Sequence, residues 1–522
     1  MSLLSIVLSS CCYIDPSNDG EVAEWYNLPW APLPIKEIHH SPTPEDEIEA
    51  EENMLKESQP WHVDNLIDVA LRNNPDTRVT WQNARSAAFL WRASRSALYP
   101  TINLSEQLLL QKFSGGGIGG GAAAANSTGI VGTGNIGNTG NTGNTGNTGN
   151  TGNTGNNVNT GNTGSSVVVG GNTRGLSSNS TSSSNQLLIS TLSFSYLMLD
   201  FGGRLATIDA AREALIYADW THNREVQTIM LNVLTFYYQH LEAKALLAAR
   251  ELDLKEAKEN VESAQEQFDA GVVTIVDVLQ AKSTYVNIQF QMEQLRGQTK
   301  TTLGRLATAM GMPPNAQFEV VNLPEDLQME KVQKDIDELI ATAKAERPDL
   351  AAAEAKWKGQ EANAKAAFSA GLPTLTANGI VQNNDNINNS SLSSRYYSGS
   401  IILNVPIYNG FYYVNRTRSA RADAAAAFAE WKSKEENALL EVVISYADFT
   451  TAAQQIKFAD ENFLYANKAY EAALANYKFG INTILDVLSA EAALSNARAQ
   501  KIQSRTFWII SLTNIAYATG TL

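Results

Sequence analysis

The chain repeats itself. The segment Gly271-Val272-Val273-Thr274-Ile275-Val276-Asp277-Val278-Leu279 returns 209 positions later as Gly480-Ile481-Asn482-Thr483-Ile484-Leu485-Asp486-Val487-Leu488. Self-similarity over so long a period predicts one architecture made of two like halves rather than several independent domains. Gly311 and Gly520 keep the same shift. Earlier landmarks, Asn74-Pro75-Asp76 with Arg347-Pro348-Asp349 and Tyr99-Pro100-Thr101 with Leu372-Pro373-Thr374, stand 273 apart. Pairing Gly203 with Gly410 gives a shift of 207, which places an insertion of 66 residues between Thr101 and Gly203 of the first half.

Each half reads helix, strand, strand, long helix, turn, helix. Repeat 1 is expected over 61–312 and repeat 2 over 337–522, with a linker at 313–336. Residues 13–60, rich in proline and acidic side chains, read as an extended arm. From Trp61 to Leu98 a helical pattern has Asp64 or Asn65 as candidate N-cap and Pro75 as a break between two helices. After Pro100 the period becomes two: Ile102, Leu104 and Leu108 alternate with Thr101, Asn103 and Ser105, and after Pro373 Leu375, Ala377 and Val381 alternate with Thr374, Thr376 and Asn378. These patterns predict half-buried strands, in hairpins over 101–200 and 374–405. At the shift of 207, Phe194, Tyr196 and Met198 map onto Ile401, Leu403 and Val405.

The first hairpin carries a loop, 114–185, built around Gly-Asn-Thr repeats. Such a tract lacks the apolar side chains that offset the entropy of ordering and is expected to be a disordered surface loop. Neither Gly nor Pro interrupts 204–270 or 411–479, so each is expected to be a helix of roughly 100 Å at 1.5 Å per residue. Leu254, Ala257, Val261, Ala264 and Phe268 recur at spacings of three and four, and the shift of 209 carries them onto Phe463, Ala466, Tyr470, Ala473 and Tyr477. That heptad seam predicts coiled-coil packing against a neighbour. Return helices are expected over 274–310 and 483–519.

The net charge of −15 and pI near 4.9 argue against a nucleic-acid partner, which needs clustered Lys and Arg. The two cysteines, Cys11 and Cys12, cannot build a disulfide framework or a zinc site. Leu8-Ser9-Ser10-Cys11 ends a short apolar stretch and resembles a lipobox, so 1–12 reads as a lipoprotein signal with Cys11 as the acylated residue. No apolar run approaches the roughly 18 residues a membrane-spanning helix needs. Any membrane passage must use strands, and four strands cannot close a barrel, since the smallest need about eight. Several chains would have to pool them.

The order of elements, the proline-led strands, the paired G-x-x-T-I-x-D-V-L turns and the lipobox resemble the TolC-type outer-membrane efflux family over about Trp61 to Leu522. The resemblance implies an α+β, mainly α fold in which a homotrimer builds a twelve-stranded barrel in outer-membrane lipid. A long helical barrel continues it through the periplasm. It implies a passive exit duct, without catalytic residues or cofactor, that docks onto a periplasmic adaptor and an inner-membrane transporter for efflux or type I secretion.

The family closes its periplasmic tip where the long helix turns into the return helix, often with an acidic ring, a role the resemblance carries to Asp486 and, less strongly, Asp277. Thr274-x-x-Asp277 and Thr483-x-x-Asp486 also fit a capping box that starts the return helices. Ser489 stands where some members carry a second acid, and Asn482 where a gating Arg can follow the glycine. The tip lock therefore rests on other contacts.

His39, His40, His62, His222 and His240 form no metal-ligand spacing, and no G-x-S-x-G, H-E-x-x-H or P-loop motif supports an enzyme. Trp220 and Tyr237-Tyr238 are expected to be packing anchors. The competing reading is a coiled-coil surface fibre or adhesin, which has no need of two hairpins with apolar faces in matched phase.

Overall fold

The computed structural model describes residues 28, 30, 60–113, 183–321, 335–387 and 393–522. Cys11, His39, His40, nearly all of the 13–60 arm and the Gly-Asn-Thr tract lie outside the described residues. The elements are α1 (Val63–Asn73), α2 (Pro75–Ser94), a 3-10 turn (Arg95–Leu98), β1 (Thr101–Phe113), β2 (Ser183–Leu199), α3 (Gly203–Asp269), α4 (Ile275–Ala309), α5 (Ile336–Glu346), α6 (Pro348–Ser369), β3 (Thr374–Asn386), β4 (Ser394–Asn404), α7 (Tyr412–Lys478) and α8 (Ile484–Thr519). The structure is thus mainly helical with one four-stranded sheet.

The chain divides into two compact units. One comprises Ile102–Phe194 and Gly379–Gly399, the greater part of a sheet of order β1-β2-β3-β4. Within it Ser193 Oγ meets Asn103 O at 3.4 Å and the Ile387 N–H donates to Gln186 O at 2.8 Å. At the strand bases in the other unit Thr101 Oγ1 donates to Ser195 O at 3.3 Å and Ser195 Oγ to Asn378 Oδ1 at 2.9 Å. In both pairings one number rises as its partner falls, so the strands are antiparallel.

Side chains alternate between faces along a strand, and this register gathers Ile102, Leu192, Phe194, Val381 and Tyr397, all exposed, onto one surface around the half-buried Gly379. Asn103, Ser193 and the other polar residues of opposite phase form the second surface. β1 and β4 end the sheet with unpaired edges among the described residues.

The other unit is helical. Each 67-residue helix, α3 and α7, runs roughly 100 Å at 1.5 Å per residue. α4 packs along α3, α8 along α7, and α6 lies against both long helices. One core gathers Leu66, Ile229, Val233, Tyr237, Leu306 and Met310 from α1, α3 and α4. A second repeats it with Leu339, Val442, Phe449, Trp508 and Ile515 from α5, α7 and α8. Trp220 stacks edge-on against Trp30 at 5.4 Å, and the Tyr237 hydroxyl donates to Val321 O at 3.0 Å. The buried His222 bridges Thr80 Oγ1 and Leu28 O, each at 2.9 Å, while His240 pairs with Thr302 Oγ1 at 3.0 Å.

The structure corrects three details of the sequence reading. Trp61 is held in an extended bridge, its N–H donating to Glu319 O at 2.8 Å, so α1 starts directly after it. His62 is therefore the N-cap, and Asp64 lies within the first turn. Entry to the long helices uses two successive left-handed residues, Phe201-Gly202 (φ 51° and 88°) and Gly410-Phe411 (φ 57° and 62°). These turns correspond at a shift of 209, not 207, so the first half carries 64 extra residues, 273 less 209, rather than 66. Strand phase is unaffected, because the two shifts differ by an even number. Phe268, assigned to the buried seam, is exposed, whereas its counterpart Tyr477 is buried.

The helix-breaking X-Pro pairs and the glycines closing the return helices meet each other. Gly311 (φ 72°) lies against Asn73 and Asn74 so closely that a Cβ would fall 2.5 Å from Asn73 O. In the second half Gly520 (φ 80°) lies against Glu346 and Arg347, where a Cβ would fall 2.9 Å from backbone atoms. Arg347 Nη1 donates to Ala518 O at 2.8 Å, Arg224 Nη1 to Tyr517 O at 3.1 Å and Gln227 Nε2 to Gly520 O at 2.8 Å. These donors supply partners for the carbonyls of Ala518 and Gly520 and a second one for Tyr517 O, which already accepts the Gly520 N–H at 3.1 Å.

Gly311→Ala combines a left-handed strain of about 1–2 kcal/mol with an overpacking cost of about 1–3 kcal/mol. Gly202→Ala meets nothing within 4 Å and carries only the strain. Thermal unfolding of detergent-purified protein should show the larger loss for Gly311→Ala; equal losses would refute the close-packing role.

Candidate functional site

The two helix-to-helix turns share one backbone solution. α3 ends as Gly271 N–H reaches Phe268 O and Val272 N–H reaches Gln267 O, both at 2.9 Å; α7 ends as Gly480 reaches Tyr477 O at 3.0 Å and Ile481 reaches Asn476 O at 2.9 Å. This is the Schellman closure, which needs a left-handed residue, and both glycines supply it at φ 76° and 74°. Thr274 and Thr483 then turn extended as N-caps of α4 and α8.

Only the second box is closed by its acid. The Asp486 carboxylate accepts the Thr483 N–H and the Thr483 hydroxyl, both at 2.9 Å. Thr274 makes no side-chain cap, so the expected first box does not form, although both turns keep the backbone bond from the acid's N–H to the threonine O, at 3.1 Å for Asp277 and 3.2 Å for Asp486. Asp277 is half-buried and faces Tyr477, whose phenol is pushed up by burial and further by that carboxylate. Asp486 is exposed. The two predicted gate residues therefore occupy different environments, and the sheltered one is Asp277.

Behind the turns, Ala264, Val278, Ala281, Tyr470, Tyr477, Val487 and Leu494 form a core in which α3, α4, α7 and α8 all take part. Outside it the tip surface is apolar and exposed at Val272, Val276, Leu279, Phe479, Ile481 and Leu485.

Next to this core lies a polar seam between α3 and α8 that the sequence reading missed. Asp253, almost wholly buried, accepts from Arg250 at 2.9 Å, Ser495 Oγ at 2.5 Å and Arg498 Nη1 at 2.6 Å. Arg498 also grips Glu256 with both terminal nitrogens, at 2.8 and 2.6 Å. Farther toward the tip, Asn260 Nδ2 donates to Glu491 Oε2 at 2.8 Å, beside the Tyr470 hydroxyl at 3.4 Å. Glu491 is only 2% exposed, and its Oε1 has no hydrogen-bond partner among the described residues. Burial pushes this carboxyl up to about 7, with Glu256 and Asp253 adding to the rise against Asn260 and Arg498. Burial likewise pushes Tyr470 up to about 12.

A signal for the seam exists in the sequence. Asp253, Glu256 and Asn260, like Glu491, Ser495 and Arg498, recur at helical spacings of three and four. At the shift of 209 the first three become Asn462, Tyr465 and Ala469, so the seam departs from the internal repeat. No cluster of three or more His, Cys, Asp or Glu fit to hold a metal occurs among the described residues.

The pattern of the family described as outer membrane efflux protein matches residues 152–312 and 339–521. Nodulation protein T of Rhizobium leguminosarum bv. trifolii is 23% identical over 333 residues, covering 63% of this chain and 71% of that protein. Outer membrane protein TolC of Escherichia coli (strain K12) is 24% identical over 371 residues, covering 67% and 71%. The solved CmeC outer membrane channel of Campylobacter jejuni shares the fold with a TM-score of 0.67 at 17% identity, covering 94% of this chain and 90% of that one.

Removing the central cation tests the seam. Arg498→Met leaves Asp253 buried with a missing partner and should cost about 3–5 kcal/mol, as broken buried ion pairs do. A loss below about 1 kcal/mol in thermal or denaturant unfolding would show the seam to be solvated and energetically idle.

Proposed function

The chain belongs to the outer membrane efflux protein family, and from that premise we propose that three copies close one barrel and one helical tunnel around a common axis. The protein is an outer-membrane exit duct, in keeping with relatives named an outer membrane protein and a pyoverdine export outer membrane protein. The observation that carries the trimer is the sheet with two open edges and an apolar outer face. Unpaired backbone groups are not tolerated in hydrocarbon, so β1 of one copy must pair with β4 of the next. Two copies would give eight strands, whose interior is filled by side chains; three give twelve and leave a passage. In this reading the apolar face meets lipid and the Asn- and Ser-bearing face lines the lumen.

The helical unit supports the same assembly. Leu279, Val286 and Phe290 on α4 and Leu440, Ile444, Phe458 and Tyr465 on α7 are large, apolar and exposed in the single chain. Apolar surface on this scale signals contact with other protein. The halves 61–312 and 337–522 supply alternate staves of the tunnel, and the 13–60 arm leads to a lipid anchor at Cys11. The turns at Gly271-Thr274 and Gly480-Thr483 present the exposed apolar tip to a periplasmic adaptor, which joins the duct to an inner-membrane transporter. Asp486, repeated by threefold symmetry, forms the acidic aperture while also capping α8. A surface fibre is not supported, since the family is one of efflux proteins and a stalk does not explain the sheet.

Single-channel recording of the detergent-purified trimer in a planar bilayer should give discrete, cation-selective openings that become less cation-selective in Asp486→Ala. Unchanged selectivity would reduce Asp486 to a helix cap. Absence of openings from a folded trimer would overturn the duct. In cells, Cys11→Ser should abolish palmitate labelling; labelling that persists would refute the anchor.

A further inference from the structure

The Asn260–Glu491 contact lies in a helix seam rather than in the tip aperture. Asn260 and Glu491 are both nearly inaccessible, and one donor meets only one of the two carboxyl oxygens. An ionised carboxylate with an oxygen lacking a donor inside a packed helix pair is costly, whereas the neutral acid is not. We propose that Glu491 is a proton-operated latch of the α3–α8 seam: protonated, it leaves the seam closed, and its ionisation drives the helices apart so that water reaches the carboxylate.

The surroundings fit a latch. From α3 the groups facing Glu491 are the acids Glu256 and Asp253 and the neutral Asn260; from α7, the Tyr470 phenol; from α8 itself, Arg498. α4 brings Val278 and Ala281, both apolar, to the adjoining core. Arg498 is already engaged by Asp253 and Glu256, so it leaves the Glu491 carboxylate without a paired charge. The sign follows from linkage. The carboxyl titrates near 4.5 when exposed and near 7 in the closed seam. Closure is fully favoured below the lower value and weakens as pH rises between the two, because the open state then binds fewer protons. The closed-to-open ratio should fall by roughly a hundredfold across that interval. Should the seam gate the duct proposed above, opening is favoured toward neutral pH and suppressed in mild acid.

The test is amide hydrogen exchange over residues 488–498 in the full-length detergent-purified protein from pH 5 to 8, normalised for intrinsic rates. Wild type should exchange progressively faster with rising pH, while Glu491→Gln, a neutral mimic of the acid, should stay at the protected, low-pH level. Asn260→Leu removes the donor to the carboxylate, so the ionised group is tolerated still less in the closed seam; exchange should rise more steeply with pH than in wild type, matching it at pH 5 and exceeding it at pH 7 to 8, which decides the matter if Glu491→Gln fails to fold. Identical pH profiles in wild type and Glu491→Gln, or a rise in Asn260→Leu no steeper than in wild type, would overturn the latch. Parallel bilayer recordings separate the two readings: exchange that follows the expected pattern without conductance at any pH supports the latch and sinks the duct.

Discussion

Backbone pairing in hydrocarbon is the constraint on which the proposed assembly depends. A strand that enters lipid must have its N–H and C=O groups satisfied by another strand, because no water is present to take them. One chain supplies four antiparallel strands and stops at two open edges. A sheet with such edges would be incomplete in lipid on its own, and the proposed need for neighbours extends to helices that leave large apolar side chains exposed within the protomer. In the assembly proposed above, the edges that one chain leaves open are those its neighbours would pair.

The halves are held by contacts that the duplication reproduces. In each, a left-handed glycine at the end of the return helix packs against the backbone before an X-Pro helix start, Gly311 on Asn73-Asn74 and Gly520 on Glu346-Arg347. Two cores of similar make-up surround those contacts. At the tip the symmetry lapses: one acid caps its helix and the other lies half-buried beside a tyrosine. The chemistry of the two turns thus differs while the surrounding scaffold remains alike.

Much of the fold was legible because it follows from period and punctuation. Alternation of apolar and polar residues after Pro100 and Pro373 marks strands, and long tracts without Gly or Pro mark the helices. The entry turn was less legible. Its left-handed pair occurs as Phe-Gly in one half and Gly-Phe in the other, so aligning glycine with glycine misplaced the insertion by two residues. The capping motif misled at Thr274 because a motif states what a side chain is able to do, and here the Asp277 carboxylate lies half-buried beside Tyr477 instead of closing on its threonine. The polar seam was passed over because its residues sit one position away from the apolar seam, on helices whose charged side chains mostly face solvent. What distinguishes Glu491 is burial, a property of tertiary packing that helical spacing alone does not encode.

The unequal hairpins have a bearing on how this chain can vary. β1 and β2 are joined by 69 residues, 114–182, and β3 and β4 by seven, 387–393. Loop-closure entropy grows only with the logarithm of length, so the longer connection costs about 2 kcal/mol more than the shorter one. Once the loop is this long, adding or losing one Gly-Asn-Thr triplet changes closure by about 0.04 kcal/mol, far below thermal energy. The tract can lengthen or shorten by copying errors in its own repeat with almost no consequence for the strands that carry it. Selection on folding is nearly blind to its length, and whatever fixes that length acts on something other than strand closure.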